Sequence, residues 1–145
     1  MATIMRKMNV ISRCEALFRT ERSTQQLAGI YHSYVLSVCA NPGMSQEQIA
    51  KYLCVNKSSV TRHLEFLEKN GYVERRPGTA DKREMLVFPT QQMLNVRDEV
   101  VAITREWNAR LAEEISAEEL ETFHRVLDRM YGKAVQIVYE EEDRR

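Results

Sequence analysis

The fold is decided by two stretches of the sequence: residues 55–77, VNKSSVTRHLEFLEKNGYVERRP, and residues 80–90, ADKREMLVFPT. In the first stretch, Val60, Leu64 and Leu67 recur at spacings of four and three residues. Side chains at these spacings lie on one face of an α-helix. The pattern therefore predicts a helix that buries this face against a core.

The ends of this helix are marked as well. We expect it to span residues 57–70, because Asn56 can cap its first turn and Asn70-Gly71 supplies a left-handed stop. Upstream, the sequence SQEQ at residues 45–48 forms a capping box, which predicts the start of a shorter helix. Only a tight connection remains between the two helices.

The period of the pattern changes after this pair of helices. Residues 72–76 and 84–88 have the composition of two strands, a turn is expected at residues 77–80, and Pro89 ends the second strand. These features predict a small β-hairpin with a polar, basic tip. A short helix, a tight turn, a second helix and a hairpin together make a winged helix–turn–helix.

Two further helices are predicted on the N-terminal side. The first covers roughly residues 4–20, and the second follows a capping box, STQQ, at residues 23–26 and ends at residues 41–43. The apolar faces consist of Met8, Ile11, Cys14 and Phe18 in the first helix, and of Leu27, Ile30, Tyr31, Tyr34, Val35 and Val38 in the second.

Two long helices are predicted on the C-terminal side, with a capping box at residues 116–119 between them. The apolar face of the first consists of Met93, Val96, Val100, Ile103, Trp107, Leu111 and Ile115, and that of the second of Leu120, Phe123, Leu127, Met130, Ala134 and Ile137. The second set follows a heptad repeat, which is typical of a partner-binding surface. We therefore expect a mainly α fold with a small β-hairpin wing.

The charge is unevenly distributed along the chain. The 145 residues contain 21 Lys and Arg against 21 Asp and Glu, a balance that by itself argues against nucleic acid as a partner. However, residues 51–90 carry eight bases and five acids, a net charge of +3, whereas residues 113–145 carry five bases and ten acids, a net charge of −5. The basic segment coincides with the predicted winged helix.

Membrane and disulfide-rich classes are excluded by the composition. No run of about 18 apolar residues is present, so we expect no membrane span. The N-terminal residues contain no apolar stretch typical of a signal peptide, and this favours a cytoplasmic location. Cys14, Cys39 and Cys54 are an odd number without C-x-x-C spacing, which argues against a disulfide framework.

Catalysis and metal binding are not expected either. The sequence contains no nucleophile elbow, phosphate-binding loop or zinc-protease motif. His32, His63 and His124 lie far apart, and none belongs to a pair with metal-ligand spacing. We therefore predict a protein that is not an enzyme and binds no cofactor or metal.

The exposed face of the predicted second helix of the winged unit carries the residues that suit DNA recognition. Arg62 can read guanine with two hydrogen bonds, and short hydroxyl side chains beside it can contact bases or phosphates. Lys82 and Arg83 at the hairpin tip can reach a minor groove or the backbone. The candidate DNA-contacting residues are Lys57, Ser58, Ser59, Thr61, Arg62, Arg75, Lys82 and Arg83.

From about residue 10 to residue 140, the chain resembles the MarR (multiple antibiotic resistance regulator) family of bacterial transcription factors. The resemblance is most specific in the two stretches quoted above, and especially at Asp81-Lys82-Arg83, which is similar to the wing-tip motif of the family. The sequence departs from the family at residues 89–93, PTQQM, where members usually have Leu-Thr and then a glycine three residues later.

The resemblance implies a homodimer. Residues 1–22 and 91–145 would form the helical dimerisation region, and residues 23–90 would form the DNA-binding winged helix–turn–helix. It further implies a transcriptional regulator, typically a repressor, that binds a pseudo-palindromic operator in double-stranded DNA. Release would follow binding of a small aromatic effector or oxidation of a cysteine.

Candidates for an effector site are the aromatic residues Phe18, Tyr31, Tyr34 and Trp107, with Val35 beside them and His32 or Arg13 as polar anchors. The alternative is that these side chains simply form the core.

For redox sensing, the resemblance points to Cys14 on the first helix, near tyrosines of the second helix of the partner, here Tyr31 and Tyr34. Arg13 and Arg19 would favour a thiolate if they lie close. The alternative is that Cys14 is a small buried apolar residue, as we expect for Cys39 and Cys54.

A second hypothesis concerns the whole winged unit. Exposed Ser, Thr and Arg side chains on a helix are commonly just a solvated face, and some winged helices bind proteins. A protein–protein interaction module without specific DNA binding therefore remains the alternative function.

Overall fold

The computed structural model describes residues 3–23 and 27–145. Its elements are α1 (Ile4–Arg22), a 3₁₀ turn (Gly29–Tyr31), α2 (His32–Ala40), β1 (Met44–Ser45), α3 (Gln46–Leu53), α4 (Lys57–Lys69), β2 (Val73–Pro77), β3 (Met85–Pro89), α5 (Gln91–Leu111) and α6 (Ala117–Glu142). The chain divides into two compact units, residues 1–107 and residues 108–145. The predicted fold class, mainly α with a β-wing, is confirmed.

The wing belongs to a three-stranded antiparallel sheet in the order β1-β3-β2. The sequence predicted the hairpin of β2 and β3. In the structure, Arg75 lies opposite Val87. Strand β1 was not, because two residues are too few to show an alternating pattern. Met44 also pairs with Val87, and the Gly43 amide, at φ +90°, donates to the Val87 carbonyl at 2.8 Å. The central strand is therefore paired on both edges.

Local capping fixes the helix–turn–helix as the sequence predicts. The Ser45 hydroxyl accepts from the Gln48 amide at 3.1 Å, and the Gln48 side chain accepts from the Ser45 amide at 2.9 Å. At the start of α4, the Asn56 side chain accepts from the Ser59 amide at 2.8 Å. Gly71 adopts φ +83°, the left-handed conformation that ends this helix. These contacts fix the start of both helices and the end of α4.

The hydrophobic core packs against one face of α4. Val60, Leu64 and Leu67 are at most 1% exposed, as their spacing predicts, and they belong to one cluster with Ile49 of α3 and Val87 of β3. Burying a large aliphatic side chain contributes roughly 1.5–3 kcal/mol. The opposite face of α4 is therefore presented on a well-supported helix.

The second helix begins later than expected. The predicted capping box falls largely on residues 24–26, which lie outside the described residues. Leu27 is buried but precedes the helix, and the Tyr31 amide donates to the Ala28 carbonyl at 2.9 Å in a 3₁₀ turn. A Cβ on Gly29 would lie 3.2 Å from the Arg19 Cβ, so this turn packs closely on α1. Tertiary packing therefore overrides the helical period here.

The first long helix ends earlier than expected. Ile115 was assigned to its apolar face, but α5 ends at Leu111 and Ile115 lies in the following turn, 46% exposed. The capping box at residues 116–119 is confirmed, and it explains the difference. An N-cap residue needs an extended backbone, and Ser116 has ψ 156°, so the preceding helix must stop before it.

The first and last helices keep their apolar side chains on the surface of the single chain. Neither α1 nor α6 contains a buried residue. On α6, Phe123 is 52% exposed and Ile137 48%, both at heptad positions. An amphipathic helix with an uncovered apolar face is typical of an interface.

His32 makes the stability of the fold pH-dependent. Its side chain is 1% exposed, and burial, followed by the nearby positive charge of Arg19, lowers its pKa from 6.5. The unfolded chain therefore binds a proton more readily than the folded one. We expect the free energy of unfolding to be at its full value above pH 6.5 and to fall below it, by up to about 1.4 kcal/mol per pH unit for this group.

Urea unfolding between pH 5 and 8, at fixed protein concentration, measures this effect. The variant His32→Gln should have a shallower pH dependence, whatever its stability at pH 8. Equal slopes for the two proteins would contradict the assignment.

Candidate nucleic-acid interface

The first two turns of α4 present short polar and cationic side chains away from the core. Lys57, Ser58 and Arg62 are exposed, and Ser59 and Thr61 are partly exposed. Ser58 and Arg62 lie on the side opposite the buried apolar face of the helix, and Lys57, Ser59 and Thr61 lie at its flanks. This arrangement suits insertion of the N-terminal part of a helix into a major groove.

These side chains make weak contacts with their neighbours on α4 and with α3. The Ser58 hydroxyl donates to the Asn56 side chain at 2.8 Å, and the Arg62 Nη2 donates to the Ser59 hydroxyl at 3.2 Å. Lys57 Nζ lies 3.3 Å from Glu47, but both side chains are 78% exposed. Ion pairs this exposed contribute little. All of these groups can therefore exchange their present partners for a ligand at low cost.

The wing presents its cations at a structured tip. The Asp81 side chain accepts from the Arg83 amide at 3.0 Å, while the Arg83 side chain is 93% exposed. The Gly78 amide closes the hairpin by donating to the Glu84 carbonyl at 2.7 Å. A Cβ at Gly78 would lie 2.6 Å from the Asp81 carbonyl oxygen, so this turn needs glycine. Lys82 is exposed beside Arg83.

Arg75 lies apart from the other seven candidate DNA-contacting residues. Its side chain is only 18% exposed, and Nη2 donates to Glu68 Oε1 at 2.9 Å. Nη1 donates to Gln46 Oε1 at 3.0 Å. The hydrogen bond from Arg75 lowers the pKa of Glu68, and the reciprocal bond raises that of Arg75. The guanidinium is thus engaged inside the protein.

An aromatic cluster that the sequence did not reveal connects α2 to α4. His63 follows Arg62, and its Nδ1 lies 2.8 Å from the Tyr34 hydroxyl. Burial raises the pKa of Tyr34 to about 12, so the phenol keeps its proton and can donate it. Burial, followed by Arg62, lowers the pKa of His63, which favours the neutral, accepting ring. Tyr31 stacks on Phe66 at 4.5 Å between ring centroids.

The candidate effector residues form two separate groups. Phe18 and Trp107 pack at 5.3 Å between centroids, with the Arg22 guanidinium 3.6 Å from the Phe18 ring centre. Tyr31 and Tyr34 belong instead to the cluster around His63.

The other side chains proposed for the effector site also differ in burial. Tyr34 and Val35, at 1% and 0% exposure, form part of the core, as the alternative interpretation held. Arg13 is exposed, whereas His32 is buried and its Nδ1 has no hydrogen-bond partner among the described residues.

The cysteines differ in exposure. Cys14 is exposed on α1, and Cys39 is half-buried against the core, where burial raises the pKa of its thiol. The prediction that Cys54 is a core residue is wrong, because it is exposed. Cys54 caps α3 in the left-handed conformation, at φ 52°, and this turn directs its side chain outward rather than along the apolar face of the helix.

Within residues 3–23 and 27–145, no group of three or more His, Cys, Asp or Glu side chains could hold a metal ion. None of the described helices is long and apolar enough to cross a membrane.

Comparison with known proteins agrees with this geometry. Residues 33–85 match the MarR family model. The uncharacterized HTH-type transcriptional regulator YybA of Bacillus subtilis is 26% identical over 63% of this chain and 62% of its own length. A second such regulator of that organism, YwoH, is 36% identical over 55% of this chain and 58% of its own. The chain thus spans about three fifths of the length of these curated relatives.

A similar fold occurs in a solved structure, a MarR family transcriptional regulator from Listeria monocytogenes complexed with a 26mer DNA. The TM-score is 0.89 at 22% identity, over 98% of this chain and 96% of that chain. The segment that matches the family model runs from α2 to the start of β3 and includes α4 and most of the wing. This part of the chain is therefore similar to the MarR family, and its fold is that of solved MarR-type structures.

Proposed function

We propose that the protein is a sequence-specific, DNA-binding transcriptional regulator, with α4 as the reading helix in a major groove and the wing on the adjacent backbone or minor groove. The observation that carries this proposal is the exposed row of Lys57, Ser58 and Arg62 on a helix whose other face is fully buried. Members of the family are transcriptional regulators rather than enzymes.

The distribution of charge also supports this surface as the DNA-binding site. Residues 51–90 carry a net +3 despite a neutral chain, and Lys57, Arg62, Lys82 and Arg83 are all exposed in this segment. Phosphate contacts by such cations supply most of the affinity of DNA-binding proteins and make it dependent on salt. The relative from Listeria monocytogenes was solved with DNA, which favours a duplex as the partner here too. A cytoplasmic location follows from that partner.

The proposal includes a homodimer on a pseudo-palindromic operator. It rests on the uncovered apolar faces of α1 and α6, in the regions 1–22 and 91–145. A two-fold axis would present two copies of α4, and readers about 34 Å apart meet successive major grooves on one side of a duplex. Repression would follow if such an operator overlaps a promoter.

Selection from a random-sequence duplex library tests the proposal. We expect a palindromic consensus to be enriched within a few rounds. The alternative, a winged helix that binds protein and not DNA, predicts no enrichment over a control with bovine serum albumin.

Arg83→Ala tests the wing. Because this side chain is 93% exposed at the tip, we expect loss of one phosphate contact: weaker binding to all duplexes alike, and a slope of log affinity against log salt that is smaller by about 1. Fluorescence anisotropy over a salt series measures both. An unchanged slope would exclude Arg83 from the interface.

Release of the DNA is proposed to follow either a small aromatic ligand or thiol oxidation. Cys14 is the exposed thiol on α1 and Phe18 the aromatic residue one turn further on. Hydrogen peroxide added to the wild-type complex should release the duplex if Cys14 is the sensor, and Cys14→Ser should then resist it. Equal release from both proteins would exclude Cys14 and leave the exposed Cys54 as the thiol to be tested, whereas no release from the wild-type complex would eliminate the redox trigger and leave small aromatic ligands.

A further inference from the structure

We propose that Arg75 is a positioning residue, not a DNA contact: together with Glu68 and Gln46 it fixes the wing against the reading helix. This inference rests on the proposed function. The three residues belong to β2, α4 and α3 respectively, so one side chain connects every part of the winged helix.

Both terminal nitrogens of the Arg75 guanidinium are engaged inside the protein. Nη2 and Nη1 donate to Glu68 and Gln46 at 2.9 and 3.0 Å. Nε is buried, without a hydrogen-bond partner among the described residues. The Arg75 amide also donates to Glu68 Oε2 at 3.1 Å. Glu68 therefore holds both the backbone and the side chain of Arg75, and a phosphate would have to replace it.

The neighbours of Arg75 in the strand differ from it. Glu74 and Arg76 point to the other side of β2, as alternation in a strand requires, and both side chains are 59% exposed. They pair with each other at 2.8 Å. Arg75, by contrast, faces α4 and the first residue of α3. Strand β2 thus takes part in two ion pairs. The Glu74–Arg76 pair is exposed, whereas the Arg75–Glu68 pair joins β2 to α4.

The contacts of Arg75 determine the angle between the wing and the reading helix α4. Gln46 lies next to Ser45, which pairs with Leu86 of β3, so the bridge connects the base of the wing to the start of α3. Loss of the bridge would let the wing rotate relative to α4. Arg62 and Arg83 would then no longer meet the same duplex together.

Two substitutions distinguish positioning from contact, and for the first of them the two hypotheses predict changes in affinity of opposite sign. If Arg75 contacts phosphate, Glu68→Gln frees it and removes a negative charge, so binding to the selected duplex should tighten and its salt slope should steepen. If Arg75 positions the wing, Glu68→Gln should weaken binding about tenfold and leave the salt slope unchanged. A loss of this size is within the cost of one misaligned base contact. Glu74→Gln is the matched control, which removes an acid from the strand that carries Arg75 and should not weaken binding.

Arg75→Lys provides the second test. A lysine keeps the charge but cannot hold Glu68 and Gln46 in a planar fork. Positioning predicts about tenfold weaker binding with the wild-type salt slope, whereas a phosphate contact predicts nearly wild-type affinity. Circular dichroism melts establish folding, and should Glu68→Gln fail to fold, Arg75→Lys decides. The inference is overturned if Glu68→Gln binds more tightly or if Arg75→Lys binds like the wild type. If the wild-type protein enriches no duplex, the proposed function is overturned instead.

Discussion

Replacing Arg62 by alanine should weaken binding to the selected duplex by about 1–3 kcal/mol and relax the preference at one base position in each half-site. The side chain is exposed on the first turns of α4, and its Nη2 donates to the Ser59 hydroxyl of the same helix at 3.2 Å. A guanidinium in a major groove can exchange this bond for two acceptors of guanine. Anisotropy with duplexes that vary at each position measures both effects.

The control for Arg62 lies on the same helix. Lys69→Ala removes an exposed cation from the C-terminal end of α4, which a helix entering the groove by its N-terminal part keeps away from the bases. We expect at most a small, uniform loss of affinity for this variant. If Arg62→Ala and Lys69→Ala behave alike, with no change in base preference, α4 does not read the sequence by the proposed face.

Met130→Glu should convert the proposed dimer to monomers at micromolar concentration. Met130 lies at a heptad position of α6, in a shallow apolar groove with Val126, Ala134 and Ile137. A carboxylate at this position would be desolvated among the apolar side chains of an interface, at a cost of several kcal/mol that a pair with Arg129 or Lys133, which also line the groove, would only partly offset. Because two linked readers gain roughly 10²–10⁴ in affinity over one, operator binding should fall by a similar factor. Sedimentation and anisotropy measure the two effects.

A matched substitution separates charge from position. Gly132 lies about 200° around the same helix from Met130, and nothing lies within 4 Å of a Cβ placed there. Gly132→Glu adds the same charge on the opposite face and removes a glycine from a helix interior, which favours the helix. It should remain dimeric and bind the operator. A monomer from Gly132→Glu and a dimer from Met130→Glu would contradict the assigned face.

Features governed by local chemistry were predictable from the sequence. The capping boxes at residues 45–48 and 116–119, the Asn56 cap and the Gly71 stop depend on residues within one turn, and all four are present. The buried face of α4 follows from its period. The hairpin followed from the change of period and the turn between its strands.

Features governed by tertiary contacts were not predictable. Arg75 looks like any other cation of a basic segment, and only the fold brings Glu68 and Gln46 to it. His63 likewise sits between Arg62 and a buried leucine, with no local sign that Tyr34 lies 2.8 Å away. The short β1 strand depends on β3, more than 40 residues later. Such placements need the packed structure.

The central claim, that α4 reads DNA as part of a two-fold pair, is tested most directly by methylation interference on the selected duplex. Methylation of guanine N7 blocks the acceptor that Arg62 would use in the major groove. The account predicts two symmetry-related sets of interfering guanines, centred about 10 base pairs apart, and loss of interference there with Arg62→Ala. Interference that is absent from the major groove, or confined to a single half-site, would contradict it.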